Sequence, residues 1–223
     1  MDTDNKTIAI LGGTGKEGPG LAMRWATAGY HVLIGSRELE KARRVAAELN
    51  EKLGIDTIVG LANHDAAGQA EICVLTVLAT AHQAALKGLK EALRGKILID
   101  TTARVDFRAP RAPEPPSVGR IAQEILGGET RVAAALQNVP AHRLRRNIGG
   151  KIDADVMVFV DDPELIDPVV ELIQAGGMRA YYAGGLDDAI VAEGLTAVLI
   201  HMNRYYGIKT ASITIHGIDG EPG

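Results

Sequence analysis

The run LGGTGKEGPG, residues 11–20, sets Gly13, Gly15 and Gly18 at G-x-G-x-x-G spacing directly after a short apolar stretch, TIAIL. In that context one glycine permits a tight turn, one lets backbone approach a pyrophosphate, and one lets a helix sit close to a strand. Amides at the helix start, around Thr14, Lys16 and Glu17, then meet the phosphates, helped by the positive end of the helix dipole. Gly12, Gly15 and Gly18 also fit G-x-x-G-x-x-G, so spacing alone leaves the subclass of dinucleotide site open. The next test lies about 20 residues on, where an NAD site usually offers Asp or Glu to the ribose 2′-hydroxyl. Here HVLIG ends in Gly35, Ser36 and Arg37, with no acid. Ser36 can donate to a 2′-phosphate and Arg37 can offer it a planar fork, while Lys41 sits one helical turn further and Thr14 is near enough to join them. The expected cofactor is NADP(H); the alternative is that Arg37 and Lys41 merely solvate a helix start.

No acid–base machinery accompanies this loop. His31, His64, His201 and His216 fall at no ligand spacing, so no metal site is expected, and no Ser-His-Asp set or paired carboxylates stand out. Tyr205 and Lys209 match Y-x-x-x-K, but Gly207 interrupts the spacing near the end of a helix. Hydride transfer between two bound rings needs no side-chain nucleophile, only alignment and exclusion of water. The residues flanking a nicotinamide should then come from strand ends: Thr76, Val77 and Leu78 after ICVL, and Thr101 with Thr102 after KILID. His82, just beyond, reads either as a contact to the nicotinamide amide or a phosphate, or as a helix-start histidine with a local bond.

These residues require a scaffold, and the chain supplies a strand and helix rhythm. TIAIL, HVLIG, EICVLTV, KILID and RVAAAL alternate with amphipathic stretches in which Leu39, Ala42, Ala46, Leu49 and Leu53, or Ala81, Ala85, Leu89 and Leu93, recur at three- and four-residue steps. This pattern predicts an α/β, Rossmann-type doubly wound, mostly parallel sheet with a small C-terminal α/β extension. We expect residues 1–140 to form the NADP-binding unit and 141–223 to complete the pocket. In the later part Asp162 should cap a helix opened by Pro163, VMVFV and MRAYYAG should be strands, and ASITIHG should alternate as a last strand. A helix from 186 to about 206, with Leu186, Ile190, Val191, Val198, Leu199 and Met202 on its apolar face, exceeds together with ASITIHG what a small sheet covers, which points to a homodimer, the alternative being packing within the chain. Residues 106–117 hold four prolines and should form an extended surface loop.

Composition narrows the field. With 223 residues, 24 Lys and Arg against 28 Asp and Glu, and a net charge of −4, the chain has no global attraction for nucleic acid or anionic membrane. Aromatics at 4% are too few for base-stacking platforms. The single cysteine, Cys73, excludes a disulfide framework and reads as a small buried hydrophobe. The acidic start and the lack of an apolar stretch of about 18 residues lead us to expect a cytoplasmic protein without a membrane span.

Taken with the GSR strand end and the stretch RVAAALQNVPAHRL, the glycine loop gives the chain a resemblance to NADPH-dependent reductases of the deazaflavin coenzyme F420, extending through ICVLTVLATAH and EGLTAVLIHMNRYYGIK. The resemblance implies small-molecule coenzymes as partners: NADP(H), with Thr14, Ser36, Arg37 and Lys41 at the 2′-phosphate and Gly13, Gly15 and Gly18 under the pyrophosphate, and coenzyme F420. It also implies that the turn Gln137, Asn138, Val139 and Pro140 walls the deazaflavin side, the two amides serving its polar edge. Just past that turn, His142, Arg143, Arg145 and Arg146 form a basic patch suited to steering the anionic tail of such a coenzyme. Two further readings share the fold: a reductase of a flavin, ferric or small imine or carbonyl acceptor, and a non-catalytic NADPH sensor.

Overall fold

The computed structural model describes residues 6–218. Strand β1 (Thr7–Leu11) leads through the glycine loop into helix α1 (Gly18–Thr27), and β2 (His31–Ser36), α2 (Leu39–Leu53), β3 (Ile58–Ala62) and α3 (Asn63–Gln69) complete one half of the sheet. The other half runs β4 (Ile72–Leu75), α4 (Ala79–Leu89), β5 (Ile97–Asp100), α5 (Val118–Leu126) and β6 (Arg131–Ala135). After a short helix α6 (Ala141–Leu144) come β7 (Asp155–Val160), α7 (Ile166–Ala175), β8 (Arg179–Tyr182) and the long helix α8 (Ile190–Tyr205). The strand order is β3-β2-β1-β4-β5-β6-β7-β8, parallel except where β7 runs against β6. This is the doubly wound architecture expected. The direction of winding reverses between β1 and β4, so their C-terminal ends diverge and open a crevice.

Near-continuous apolar strands such as Ile8, Ala9, Ile10 and Leu11 are buried on both faces, as a covered parallel sheet requires. One face packs Ile10, Trp25, Ile34, Val156 and Ile173 under α1 and α7; the other packs Leu75, Leu86, Leu98, Phe159 and Leu186 under α4 and the approach to α8. Cys73 lies in this second core, where burial pushes its thiol up to about 12, leaving an inert hydrophobe. Asp162 caps as expected, accepting from Glu164 N at 3.0 Å, although the first turn it caps, Pro163–Leu165, is a 3₁₀ turn ahead of α7.

Three expectations are revised. Strand β3 and helix α3 were not marked in the sequence. ASITIHG forms no strand: both edges of β7 are already bonded, by β6 and β8, so the segment only touches its start, Asp155 N donating to Ile213 O at 3.0 Å and Ile215 N to Asp155 Oδ2 at 2.6 Å. Finally, the stretch 186–206 opens with a 3₁₀ turn, Leu186–Ala189, and α8 turns Ala192, Glu193, Ala197 and Leu199 inward. Leu186 and Leu199 are buried as foreseen, whereas Val191, Val198 and Met202 are 61%, 52% and 43% exposed. Among the described residues no helix is long and apolar enough to cross a membrane.

Candidate active site

The glycine loop divides its roles differently from the expectation. The tight turn belongs to Gly12, at φ +72°, where a Cβ would also strike Val77 Cγ1 at 2.7 Å. Gly13 and Gly18 face each other: a Cβ on Gly18 would lie 2.3 Å from Gly13 O, so these two let α1 start against the strand end. Gly15 is exposed and borders the crevice, with nothing nearer to its missing Cβ than Gly12 O at 3.6 Å. That open position is where a pyrophosphate can reach the backbone.

The loop is pinned from three directions. Gly12 N donates to Asn63 Oδ1 at 3.0 Å, Gly13 N donates to Gly35 O at 2.9 Å, and Arg145 Nη2 donates to Lys16 O at 2.8 Å. The bond to Gly35 fixes the loop beside the end of β2. There Ser36 is buried, its Oγ accepting from Glu38 N at 3.1 Å while its hydroxyl proton is left to donate. Arg37 is exposed and Lys41 half-buried, and neither carries an ion pair among the described residues, unlike Arg43 and Arg44, which face Glu40 and Glu48. Arg37 and Lys41, cations without such a pair, thus lie on the segment that follows the strand end to which the loop is bonded.

Inward from the loop, the crevice is a cavity of about 1120 Å³, beyond the usual range of about 300–1,000 Å³ for a single small-molecule site and large enough for two ring systems. Thr76, Val77 and Leu78 past β4 and Thr101 and Thr102 past β5 line one side, Gly15, Lys16 and Glu17 a second, and residues 137–140 a third. Thr196, Leu199 and Asn203 of α8 cover it, with Phe107 and Arg108 from the proline-rich loop beside them. That loop is tied down: His201 Nε2 meets Pro110 O at 3.0 Å, and Arg204 donates to the carbonyls of Phe107 and Arg108. Buried Glu193 on α8 also takes Arg104 Nε at 2.9 Å and Val118 N at 2.9 Å, fixing both ends of the segment.

The QNVP turn is the most constrained piece of backbone here. Leu136, buried and branched, is held at φ +73°, and Val139 N closes the turn on Leu136 O at 3.0 Å. The two amides that follow are anchored by their NH₂ groups, Gln137 Nε2 to Asp100 O at 3.1 Å and Asn138 Nδ2 to Asp155 O at 2.8 Å. Their acceptor oxygens, together with Thr102 Oγ1, are buried and unpartnered. Three orphaned polar atoms on residues lining one cavity fit a ligand whose polar edge completes them.

Glu17, half-buried, carries the most perturbed acid of the site. Burial pushes its carboxyl up to about 8, although the contact with the Thr101 hydroxyl works in the other direction. Three other residues, His82, Arg143 and Arg145, make contacts that differ from those expected. His82 is not on the cavity wall: it is 3% exposed, and its Nε2 lies 2.5 Å from Asp100 Oδ2, beneath the floor. Asp100 Oδ1 also accepts from Thr102 N at 3.0 Å and its carbonyl from Gln137, so His82 is linked through Asp100 to two residues of the cavity wall. In the basic patch, Arg143 donates to Thr210 O and Asp153 O and Arg145 to the glycine loop, so both guanidiniums are committed to backbone. Tyr205, of the Y-x-x-x-K match, is 84% exposed and stacks edge-on against Tyr206.

Asn63, Asp100 and the Arg104–Glu193 pair carry no signal in the sequence, and Arg145, expected in the basic patch, instead holds the glycine loop. Each acts on a partner dozens of residues away, and none sits in a local motif that spacing could reveal.

Comparison with known proteins places this geometry. A family model described as NADP oxidoreductase, coenzyme F420-dependent, matches residues 7–104. An F420-dependent NADP reductase of Methanothermobacter marburgensis is 39% identical over 218 residues, 93% of this chain and 97% of that protein. One from Methanocaldococcus jannaschii is 35% identical over 223 residues, covering 95% and 99%. Among solved structures, a putative F420-dependent NADP reductase from Arthrobacter sp. FB24 superposes with a TM-score of 0.77 at 28% identity over 94% of this chain and 99% of that one. A pyrroline-5-carboxylate reductase of Coxiella burnetii, at 17% identity and TM-score 0.60 over 90% of this chain and 68% of that one, shares the fold.

Proposed function

The chain belongs to the F420-dependent NADP reductase family, and from that premise we propose how its cleft divides between two coenzymes. It is an oxidoreductase that passes a hydride between NADP(H) and coenzyme F420. The coenzymes supply the redox chemistry, nicotinamide C4 and deazaflavin C5 exchanging the hydride, so the protein's work is to align two flat rings and exclude water. The orphaned oxygens of Gln137 and Asn138 are the observation that carries the division.

In this reading Thr14, Ser36, Arg37 and Lys41 hold the 2′-phosphate and the backbone at Gly13, Gly15, Lys16 and Gly18 carries the pyrophosphate. Thr76, Val77, Leu78, Glu17 and Thr101 surround the nicotinamide. The turn of Gln137, Asn138, Val139 and Pro140 takes the deazaflavin, whose ring N–H can donate to the free amide oxygens. Arg108 and Lys209 are the wall cations best placed for its anionic tail, since Arg143 and Arg145 are engaged elsewhere. Residues 1–140 bind the dinucleotide, and the part after 140 contributes Thr196, Leu199, Asn203 and Lys209 to the second half of the cleft. Replacing Asn138 by Leu, which removes both the acceptor oxygen and the anchor to Asp155 O, should raise KM for oxidised F420 at least about tenfold and move KM for NADPH less than twofold. Steady-state bleaching of the deazaflavin absorbance measures both; equal changes in the two constants would overturn the division.

The proposal includes a homodimer and a cytoplasmic setting. Val191, Val198, Met202 and Tyr205 recur on one outward side of α8, an apolar stripe that a second copy can cover. Sedimentation should give a dimer for the wild type and a monomer for Val198→Asp with Met202→Glu; a monomeric wild type at micromolar concentration refutes it.

A further inference from the structure

Glu17 immediately precedes α1, where an acidic side chain ordinarily caps the helix and gains from its positive end. Its side chain makes no capping bond. The residue instead lines the cleft, and its Oε2 lies 3.2 Å from Thr101 Oγ1. The threonine hydroxyl has a single proton, and Leu75 O, which can only accept, lies nearer to it at 2.9 Å. With that proton on Leu75 O, the contact to Glu17 is satisfied by a carboxylic O–H donating to the hydroxyl oxygen. The elevated affinity of this buried carboxyl for its proton agrees with that assignment.

We propose that Glu17 is a redox-state selector: it keeps its proton in the free enzyme and beside NADPH, and releases it to solvent when NADP⁺ enters. The selector rests on the proposed placement of the nicotinamide against Thr76, Val77 and Thr101. Of the two redox forms, only NADP⁺ carries a positive ring, and a positive ring beside a carboxyl favours the ionised form. The phosphates are common to both forms and cancel in a comparison between them. The other charged groups on the surrounding elements are Lys16 on the same loop, Arg145 bonded to Lys16 O, the Asp100–His82 pair at the end of β5, Arg104, which is paired with Glu193, and Asp106, Arg108 and Lys209 on the cavity wall. None of these is in hydrogen-bond contact with the Glu17 carboxyl, which leaves it free to respond to the ring.

The test measures Kd for NADP⁺ and NADPH between pH 6 and pH 10 on the wild type and on Glu17→Gln. In the wild type the ratio of Kd for NADPH to Kd for NADP⁺ should rise about tenfold, equivalent to one unit of difference in the acid's strength between the two complexes. In Glu17→Gln it should stay flat within about twofold. Calorimetry of the wild type in two buffers of different ionisation enthalpy supplies a second readout that needs no variant: NADP⁺ should release more protons than NADPH. A pH-independent ratio, an unchanged slope in Glu17→Gln, or equal proton release overturns the inference while the dinucleotide site stands. A wild type that binds neither coenzyme overturns both.

Discussion

Replacing Arg37 and Lys41 together by alanine is expected to weaken NADPH binding about 100- to 1,000-fold, while binding of NADH changes less than about threefold. A charge-assisted hydrogen bond contributes about 1.5–3 kcal/mol, and at an exposed site the lower end, about 1.5–2 kcal/mol each, gives that range for two lost together. The two coenzymes should separate cleanly because neither side chain serves the fold. No ion pair among the described residues holds them, so their removal leaves stability alone. Ser36 would not separate the effects so well, since its Oγ also accepts from Glu38 N. Titration of both dinucleotides by fluorescence decides the matter. A parallel loss for NADH and NADPH would move the 2′-phosphate elsewhere.

Replacing Arg24 by methionine should destabilise the protein by about 3–5 kcal/mol, read as a fall in the urea midpoint at unchanged slope. Arg24 is 2% exposed and burial draws its guanidinium below the ordinary arginine value. It has no carboxylate partner among the described residues; five carbonyls compensate it instead. Nε donates to Leu144 O at 2.9 Å, Nη1 to Gly150 O and Gly176 O at 2.9 and 3.0 Å, and Nη2 to Arg146 O and Asn147 O at 2.6 and 3.3 Å. Gly176 closes α7, so the charge also meets the negative end of that helix. Methionine matches much of the volume but leaves these acceptors without a donor, which is why the cost exceeds that of a typical substitution. A loss under about 1 kcal/mol would mean that water replaces the guanidinium.

The parts of the site that were legible in the sequence are those written locally. G-x-G-x-x-G, the acid-free strand end Gly35-Ser36-Arg37 and the QNVP turn each lie within a few residues, and the structure sets the glycine loop against Gly35 and the QNVP turn on the cleft wall. What spacing could not convey was which glycine does what, because Gly12's positive φ and the meeting of Gly13 with Gly18 are three-dimensional facts. Strand β3 escaped notice as a short edge strand whose Val59 faces solvent, and α3 because its buried face is only Ala66 and Ala67. ASITIHG misled in the opposite sense: its alternation is genuine, but β7 offers no free edge to pair with. In the sequence Arg24 has no role, and Glu17 only that of a backbone amide at the helix start. Their roles depend on carbonyls more than a hundred residues downstream in one case and on Thr101 in the other.

The tie from Arg145 to the glycine loop has a consequence for biosynthesis. The loop is made before the residue that holds Lys16, which follows 129 positions later, and Arg24 waits about as long for its carbonyls. A nascent chain ending at residue 140 would expose Arg24's helix face and an untethered phosphate turn, so it would not act as a free-standing dinucleotide binder. Coenzyme capture thereby waits for residues beyond 140, since the contacts that order its loop are long-range.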